Sequence, residues 1–173
     1  MCSSRDKAEA CLLKGLAAGA IGGLVASAVM EQFQALWSFV GERLQDSKSE
    51  KSEKAAKPTT VKAADAITER VVGHKVRKKH QKLAGETVHY AMGGASGAAY
   101  GILAEIAPAV RAGDGAVFGA AVWLAADEAT LPALGLTKSP AKIPTSTHVY
   151  ALVSHLVYGV VTEAVRRCVR QAL

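Results

Sequence analysis

Aromatic side chains, prolines and cysteines are all scarce in this chain. Phe, Tyr and Trp make up only 5% of its 173 residues, and it has five prolines and three cysteines. The cysteines are too few and too scattered for a disulfide framework or a zinc site. The sequence also has no glycine-rich phosphate loop, no nucleophile elbow and no paired histidine motif, which mark common enzyme classes. We therefore predict a protein that is not an enzyme and that needs no cofactor and no metal.

Alanine and glycine supply much of the apolar content, with 33 alanines and 16 glycines. Four apolar segments, at about residues 12–40, 86–108, 113–134 and 146–167, are long enough to cross ~30 Å of hydrocarbon. A soluble alanine-rich bundle is the competing interpretation, but each glycine inside a water-exposed helix would cost about 1 kcal/mol relative to alanine. Membrane helices tolerate glycine. The sequence therefore predicts an all-α fold, a four-helix transmembrane bundle in one membrane domain, residues 1–173.

A polar, basic insertion separates the first two apolar segments, at residues 44–85. Twelve of the 21 lysines and arginines lie between positions 43 and 82, mixed with acids. Because this stretch is mixed in charge and poor in aromatic residues, we predict no nucleic-acid partner. A short amphipathic helix on the membrane surface fits the pattern, and a solvated loop is the alternative. The apolar side of that helix comprises Val61, Ala64, Ile67 and Val71.

Small residues recur at every fourth position in all four apolar segments. Residues four apart stack along one face of a helix, so each segment predicts a ridge of small side chains that ends in a carboxylate. In lipid, glycine lets two helix backbones approach closely, and we assign these ridges to helix packing. A pore lined by bare glycines is the alternative. The ridge glycines are Gly15, Gly19, Gly23, Gly93, Gly97, Gly101, Gly115, Gly119 and Gly159.

The ridge pattern is also duplicated along the chain. A shift of 96 residues lays the glycines and the acid of the first segment on those of the third. A shift of 58 lays the second segment on the fourth, where the motif Tyr-Gly-x-x-x-Glu recurs at residues 100–105 and 158–163. The difference of 38 residues is the extra length of the first connection. The sequence thus predicts two pseudo-repeated helical hairpins, with the polar insertion only in the first.

The acids that end the ridges fall into two groups. Glu105 and Glu163 lie at the ends of the second and fourth segments, and Glu163 can pair with Arg166 or Arg167 one turn further on. An ionised acid at the bilayer centre costs about 2.5 to 3.5 kcal/mol on insertion scales. We therefore predict that Glu105 and Glu163 act as anchors at the membrane interface.

A second polar group is predicted at the opposite end of the bundle. Acids at the ends of the first and third segments lie on the same membrane side as histidines at the starts of the second and fourth. Carboxylates beside imidazoles can relay protons or hold a cation, or they can tie helices together by hydrogen bonds. Metal or haem binding through the three histidines is a weaker alternative, because none of them has the local spacing of a dedicated site. The predicted cluster comprises Glu31, Asp127, Glu128, His89, His148 and His155.

Four stretches of the chain are distinctive: residues 100–108 (YGILAEIAP), 119–128 with Gly119, Trp123, Asp127 and Glu128, 131–137 (LPALGLT) and 154–159 (SHLVYG). Together they resemble the YagU-like family, small bacterial inner-membrane proteins of unknown function. The resemblance implies a multi-pass protein of the bacterial plasma membrane with no established enzyme activity. It supplies no catalytic residues.

The sequence as a whole predicts a membrane protein that works through helix contacts. We expect the lipid bilayer as its surroundings, and either a homo-oligomer or a larger membrane complex as its assembly. A proton-permeable, cation-permeable or pH-responsive membrane element is the alternative. The excess of lysine and arginine in the insertion places that insertion in the cytoplasm by the positive-inside rule.

Overall fold

Helices make up nearly all of the described chain. The computed structural model describes residues 5–45, 59–72, 74 and 76–173, and these residues contain no β-strand. The predicted all-α class is therefore confirmed. The helices are α1 (Arg5–Gln45), α2 (Thr59–Val72), α3 (Gln81–Ile106), α4 (Ala116–Trp123), α5 (Leu131–Ala133) and α6 (Thr145–Ala172).

Three stretches of the described chain are long and apolar enough to cross a membrane. They are Arg5–Gly41, Pro108–Ala133 and Thr145–Ala172, and they mark the chain as a membrane protein. The sequence predicted four spans, and the one that is missing from these three is the second, at residues 86–108. Helix α3 covers that segment, but alanine and glycine supply much of its apolar content and it carries His89 and Glu105, so no 18-residue stretch of it is as apolar as the best stretch of each of the three.

The third predicted span, residues 113–134, is not one regular α-helix. A 3-10 turn begins at Pro108, the backbone is non-helical at Ala112, Gly113 and Asp114, and α4 follows after Gly115. A π-helical segment at Leu124–Thr130 joins α4 to α5. Pro132 has no N–H to donate, so the carbonyl one turn earlier loses its usual helical hydrogen bond. Within the π-helical segment, the Thr130 hydroxyl donates to the Ala125 carbonyl, five residues earlier, at 2.7 Å. This stretch is still long and apolar enough to be a candidate span at Pro108–Ala133, but apolar length does not register the local change of hydrogen bonding.

The chain divides into two compact units. The first comprises Met1–Met30 with Tyr90–Leu173, and the second comprises Glu31–His89. In the second unit, a Cβ on Gly85 would lie 2.7 Å from Cγ2 of Val61, so α2 packs on the start of α3. Val61 and Ala64 are buried, whereas Ile67 is exposed. The side chain of Val71 and residues 46–58 of the predicted insertion lie outside the described residues.

The first unit buries small and polar side chains and exposes large aliphatic ones. Ser27, Ser154 and Thr162 are fully buried, and Glu163 and Arg166 are only 1% and 3% exposed. A water-soluble core shows the reverse distribution, with the aliphatic side chains inside. The exposed aliphatic residues of this unit include Leu13, Ile21, Leu24, Leu103, Val117, Leu124 and Val160.

Candidate functional site

The glycine ridges of α1 and α3 face each other in direct backbone contact. A Cβ on Gly97 would lie 2.8 Å from Cα and 2.9 Å from N of Gly23, and it would also meet the carbonyl oxygen of Gly19. A Cβ on Gly19 would lie 2.8 Å from Cα of Gly101. Non-bonded carbon atoms settle at about 3.5 to 4.0 Å, so no side chain fits between the two helices at these positions.

Both ends of this contact are closed by polar groups. At one end, a Cβ on Gly15 would lie 2.5 Å from Cγ of Glu105. At the other end, the buried Ser27 hydroxyl donates to the Gly23 carbonyl at 3.0 Å and fills the space beside Gly93. The α1–α3 contact therefore runs over the whole length of the predicted ridges.

A second glycine contact joins the start of α4 to α6. A Cβ on Gly159 would lie 2.6 Å from N and 2.8 Å from Cα of Gly119, and a Cβ on Gly119 would meet the His155 carbonyl. Gly115 has φ +91°, in the left-handed region that favours glycine. A Cβ there would also lie 2.8 Å from Cβ of Glu163. Gly115 is thus required both for its backbone conformation and for the close approach of α6.

Glu163 is the centre of a buried ion-pair network. It accepts hydrogen bonds from Nε of Arg166 at 2.6 Å, from Nη2 of the same residue at 3.0 Å and from Nε of Arg167 at 2.6 Å. The Tyr100 hydroxyl of α3 donates to it at 2.9 Å. The sequence predicted a pair with Arg166 or Arg167, whereas the structure uses both arginines and adds a donor from another helix.

Glu105 extends the same network to a third helix. Arg170 of α6 donates to it through Nε at 2.8 Å, and the Cys11 thiol of α1 donates to its other oxygen at 3.0 Å. Nη1 of Arg166 lies 3.9 Å away. Glu105 and Glu163, the two predicted interface acids, are therefore joined through arginines of α6, and the network ties α1, α3 and α6 together.

Two carboxylate–imidazole pairs lie at the π-helical segment. Oε1 of Glu128 is 2.6 Å from Nδ1 of His148. Oδ2 of Asp127 is 3.8 Å from Nδ1 of His155, and the same nitrogen is 2.9 Å from the Ala151 carbonyl oxygen. Because a carbonyl oxygen can only accept, Nδ1 of His155 carries a proton and donates it. Each pair links the π-helical segment to α6.

Four of the six residues of the predicted acid and histidine cluster can be compared within one compact unit. Asp127, Glu128, His148 and His155 belong to the first compact unit and form two pairs, not one group. Glu31 and His89 belong to the second compact unit. Among the described residues, no three His, Cys, Asp or Glu side chains are placed to hold a metal ion, so the weaker metal alternative finds no site there.

Sequence reasoning missed two buried polar groups. The Tyr158 hydroxyl donates to the Gly93 carbonyl at 2.7 Å and lies 2.8 Å from Oγ of Ser96, which ties α6 to α3 beside the glycine ridge. The indole N–H of Trp123 is buried and has no hydrogen-bond partner among the described residues. The repeated Tyr-Gly motif was the one available signal for Tyr158, and nothing in the sequence pointed to the burial of the Trp123 nitrogen.

Comparison with known families gives one match. Residues 52–164 match the model of a family described as a protein of unknown function, DUF1440. The matched range contains α2, α3 and both carboxylate–imidazole pairs, and it ends before the three arginines of α6. No curated protein and no solved structure matches the chain.

Proposed function

This chain belongs to the DUF1440 family, and we propose that it is a multi-pass integral protein of the bacterial plasma membrane that acts without catalysis. It acts as a packed helical unit, through contacts with a second copy of itself or as an accessory subunit of a larger membrane complex. Its glycine ridges hold the helices together in lipid.

The observation that carries this proposal is the reversed burial of the first unit. Large aliphatic side chains such as Leu13, Val117 and Leu124 are exposed, whereas Glu163 and Arg166 are buried. Lipid tails accept aliphatic groups freely but cannot satisfy ions, so charged groups in a membrane protein turn inward and pair with one another. Water would favour the opposite arrangement.

We also propose that the spans form a four-helix bundle of two pseudo-repeated hairpins, with α3 as the fourth helix. Two glycine contacts of the first hairpin recur in the second after the shifts of 96 and 58 residues that align the sequence. The equivalent contacts are Gly19–Gly101 with Gly115–Gly159, and Gly23–Gly97 with Gly119–His155. Recurrence in three dimensions supports an internal repeat more strongly than recurrence of glycines along the chain.

Contacts with a partner must use a different helix face, because the glycine ridges already make contacts between helices of this chain. Ala91, Ala95 and Ala99 of α3 are exposed and lie four residues apart on one face. Small residues with this spacing allow close helix association in lipid. The most apolar 18-residue stretch of α3 is also less apolar than those of the three spans. A second helix is therefore a better neighbour for this face than lipid.

We expect Ala95→Leu to convert a homo-oligomer into smaller species, because the larger side chain prevents close approach at the alanine face. Ala164→Leu is the matched control, since Ala164 is exposed on α6 between Val160 and Cys168 and not in a stripe of small residues. The measurement is particle mass in lipid nanodiscs, with fractionation of the detergent-free lysate. A chain that stays in the supernatant contradicts the membrane proposal. A monomer that copurifies with no stoichiometric partner contradicts the assembly proposal.

A proton-permeable or cation-permeable element is the second candidate function. It is favoured by the two carboxylate–imidazole pairs, which lie at a π-helical segment, a feature frequent at functional sites. Trp123, the residue just before this segment, has a buried indole nitrogen with no hydrogen-bond partner among the described residues.

For this second candidate, we expect proteoliposomes containing the protein to leak protons faster than empty liposomes, and Asp127→Asn to reduce that leak. The carboxylate can take up and release a proton near His155, whereas the amide cannot. Asp6→Asn, at an exposed position of the first turn of α1, is the matched control. The measurement is the fluorescence of an enclosed pH dye. Equal leak with Asp127→Asn and the parent removes this carboxylate from any conduction path.

A further inference from the structure

A cavity of about 600 Å³ opens where the start of α1, the end of α3 and the end of α6 meet. All of its lining residues belong to the first compact unit. Its wall is mixed, and both aliphatic side chains and four arginines line it. The residues that matter for its chemistry are Cys11, Leu12, Ile106, Arg111, Arg166 and Arg170. The volume lies in the range of ordinary ligand sites, about 300 to 1,000 Å³.

One of the arginines that line this cavity is not paired with a carboxylate of the described residues. Three of its four arginines already pair with the carboxylates Glu105, Glu163 and Asp114. The fourth, Arg111, pairs with no carboxylate of a described residue, and its Nε makes only a long hydrogen bond of 3.4 Å to the Pro108 carbonyl. The cavity therefore has a surplus positive charge, carried by a planar guanidinium group that suits a two-point contact with a phosphate.

The position and lining of the cavity fit a lipid headgroup. It lies at the ends of all three candidate membrane spans, where headgroups meet the hydrocarbon. Ile106 is 63% exposed and, with Leu12, offers an apolar surface directly beside the arginines. Basic pockets between membrane helices are a recurrent way of holding anionic headgroups. A free inorganic phosphate would leave the apolar part of the lining unused.

We propose that this cavity binds the phosphate group of an anionic phospholipid, with Arg111 as the cation that contacts the phosphate and with Leu12 and Ile106 against the start of the acyl chains. This inference rests on the proposed membrane placement of the chain. Arg166 and Arg170 shape the wall and remain paired with their carboxylates.

Cys11 provides a reporter inside the cavity. In a variant with Cys2→Ser and Cys168→Ser it is the single remaining thiol. The experiment measures the rate at which N-ethylmaleimide modifies Cys11 in protein purified in a neutral detergent. Micelles are supplied with phosphatidylglycerol, with phosphatidylcholine or with no lipid, and a fourth arm contains inorganic phosphate at the same phosphate concentration.

We expect phosphatidylglycerol to slow the modification of Cys11 about tenfold when nine-tenths of the cavities are filled, because only the empty fraction reacts. Phosphatidylcholine should leave the rate unchanged. Arg111→Gln should raise the concentration of phosphatidylglycerol needed for protection about tenfold, the effect of losing one charge-assisted contact. Arg77→Gln removes the same charge from an exposed position in the second unit and should behave as the parent.

Each remaining outcome decides against the proposal in a different way. Equal protection by inorganic phosphate shows that the ligand is a free anion and overturns the lipid assignment. If Cys11 is protected in none of the arms, the arginines and carboxylates around the cavity form a structural ion-pair network and bind no phosphate. If Arg111→Gln changes the rate of Cys11 modification in the absence of lipid, Arg111→Lys is tested as well, because it keeps the positive charge. Phosphatidylglycerol must then still protect Cys11 in Arg111→Lys. A chain that fractionates with membranes but shows no protection refutes this inference and leaves the proposed function standing.

Discussion

Replacing Glu163 by glutamine is expected to lower the free energy of unfolding by about 3 kcal/mol, the lower end of the range for a broken buried ion pair. The carboxylate is only 1% exposed, and two arginines and the Tyr100 hydroxyl donate to it. Glutamine keeps the shape and one acceptor oxygen but loses the charge, so Arg166 is left buried beside a neutral amide. The cost arises more from that guanidinium, whose next carboxylate is Glu105 at 3.9 Å, than from the lost hydrogen bonds.

The measurement is the unfolding midpoint and slope in mixed micelles titrated with a denaturing detergent. Glu9→Gln is the matched control, because Glu9 is 68% exposed and its pair with Arg5 has a separation of 3.9 Å. That control should change stability by less than about 0.5 kcal/mol. Adding Arg166→Gln to Glu163→Gln should cost less than the two single losses together, because the second substitution removes the unpaired charge. Additive losses would show that the two residues do not stabilise each other.

Replacing Gly97 by alanine is expected to cost about 2 kcal/mol of stability. Its new Cβ would lie 2.8 Å from Cα of Gly23, so α1 and α3 must separate. An extra methyl group in a tightly packed contact costs about 1 to 3 kcal/mol, and here the obstacle is backbone, which places the cost near the top of that range. The better helix propensity of alanine returns at most about 1 kcal/mol. The free-energy cost of separating α1 and α3 is therefore larger than the gain in helix propensity.

Gly41→Ala is the matched control for this prediction. Gly41 also lies in a helix, but a Cβ there would have nothing within 4 Å, so only the gain in helix propensity remains. That control should be neutral or stabilising by up to about 1 kcal/mol. The same detergent titration compares the two variants with the parent. If Gly97→Ala and Gly41→Ala have equal midpoints, close backbone contact at the ridge does not hold these helices together.

The two predictions concern different kinds of stabilisation in one helical unit. The glycine contacts supply close packing between α1 and α3, whereas the network around Glu163 supplies ionic contacts between α6 and α3. In lipid, both kinds of contact replace the hydrophobic drive that holds a water-soluble core together. A protein that relies on both should tolerate changes of its exposed aliphatic residues better than changes of its buried small and charged ones.

The candidate sites were only partly predictable. The pair of Glu163 with Arg166 and Arg167 could be predicted, because residues three and four apart are neighbours on any helix. The pair of Glu105 with Arg170 could not, since 65 residues separate them and only the packing of α6 against α3 brings them together. For the same reason, no local pattern indicated that Cys11 would donate to Glu105.

The sequence by itself determined that this chain is helical, that it has helices long and apolar enough to cross a membrane and that each glycine ridge lies on one helix face. These properties depend on composition and on spacing along one helix, which covalent geometry converts directly into structure. The tertiary structure alone decided which ridges meet and which arginine of α6 pairs with Glu105. It also formed the cavity beside Arg111. These features depend on contacts between residues far apart in the chain, and no local pattern encodes which distant partner packing will choose.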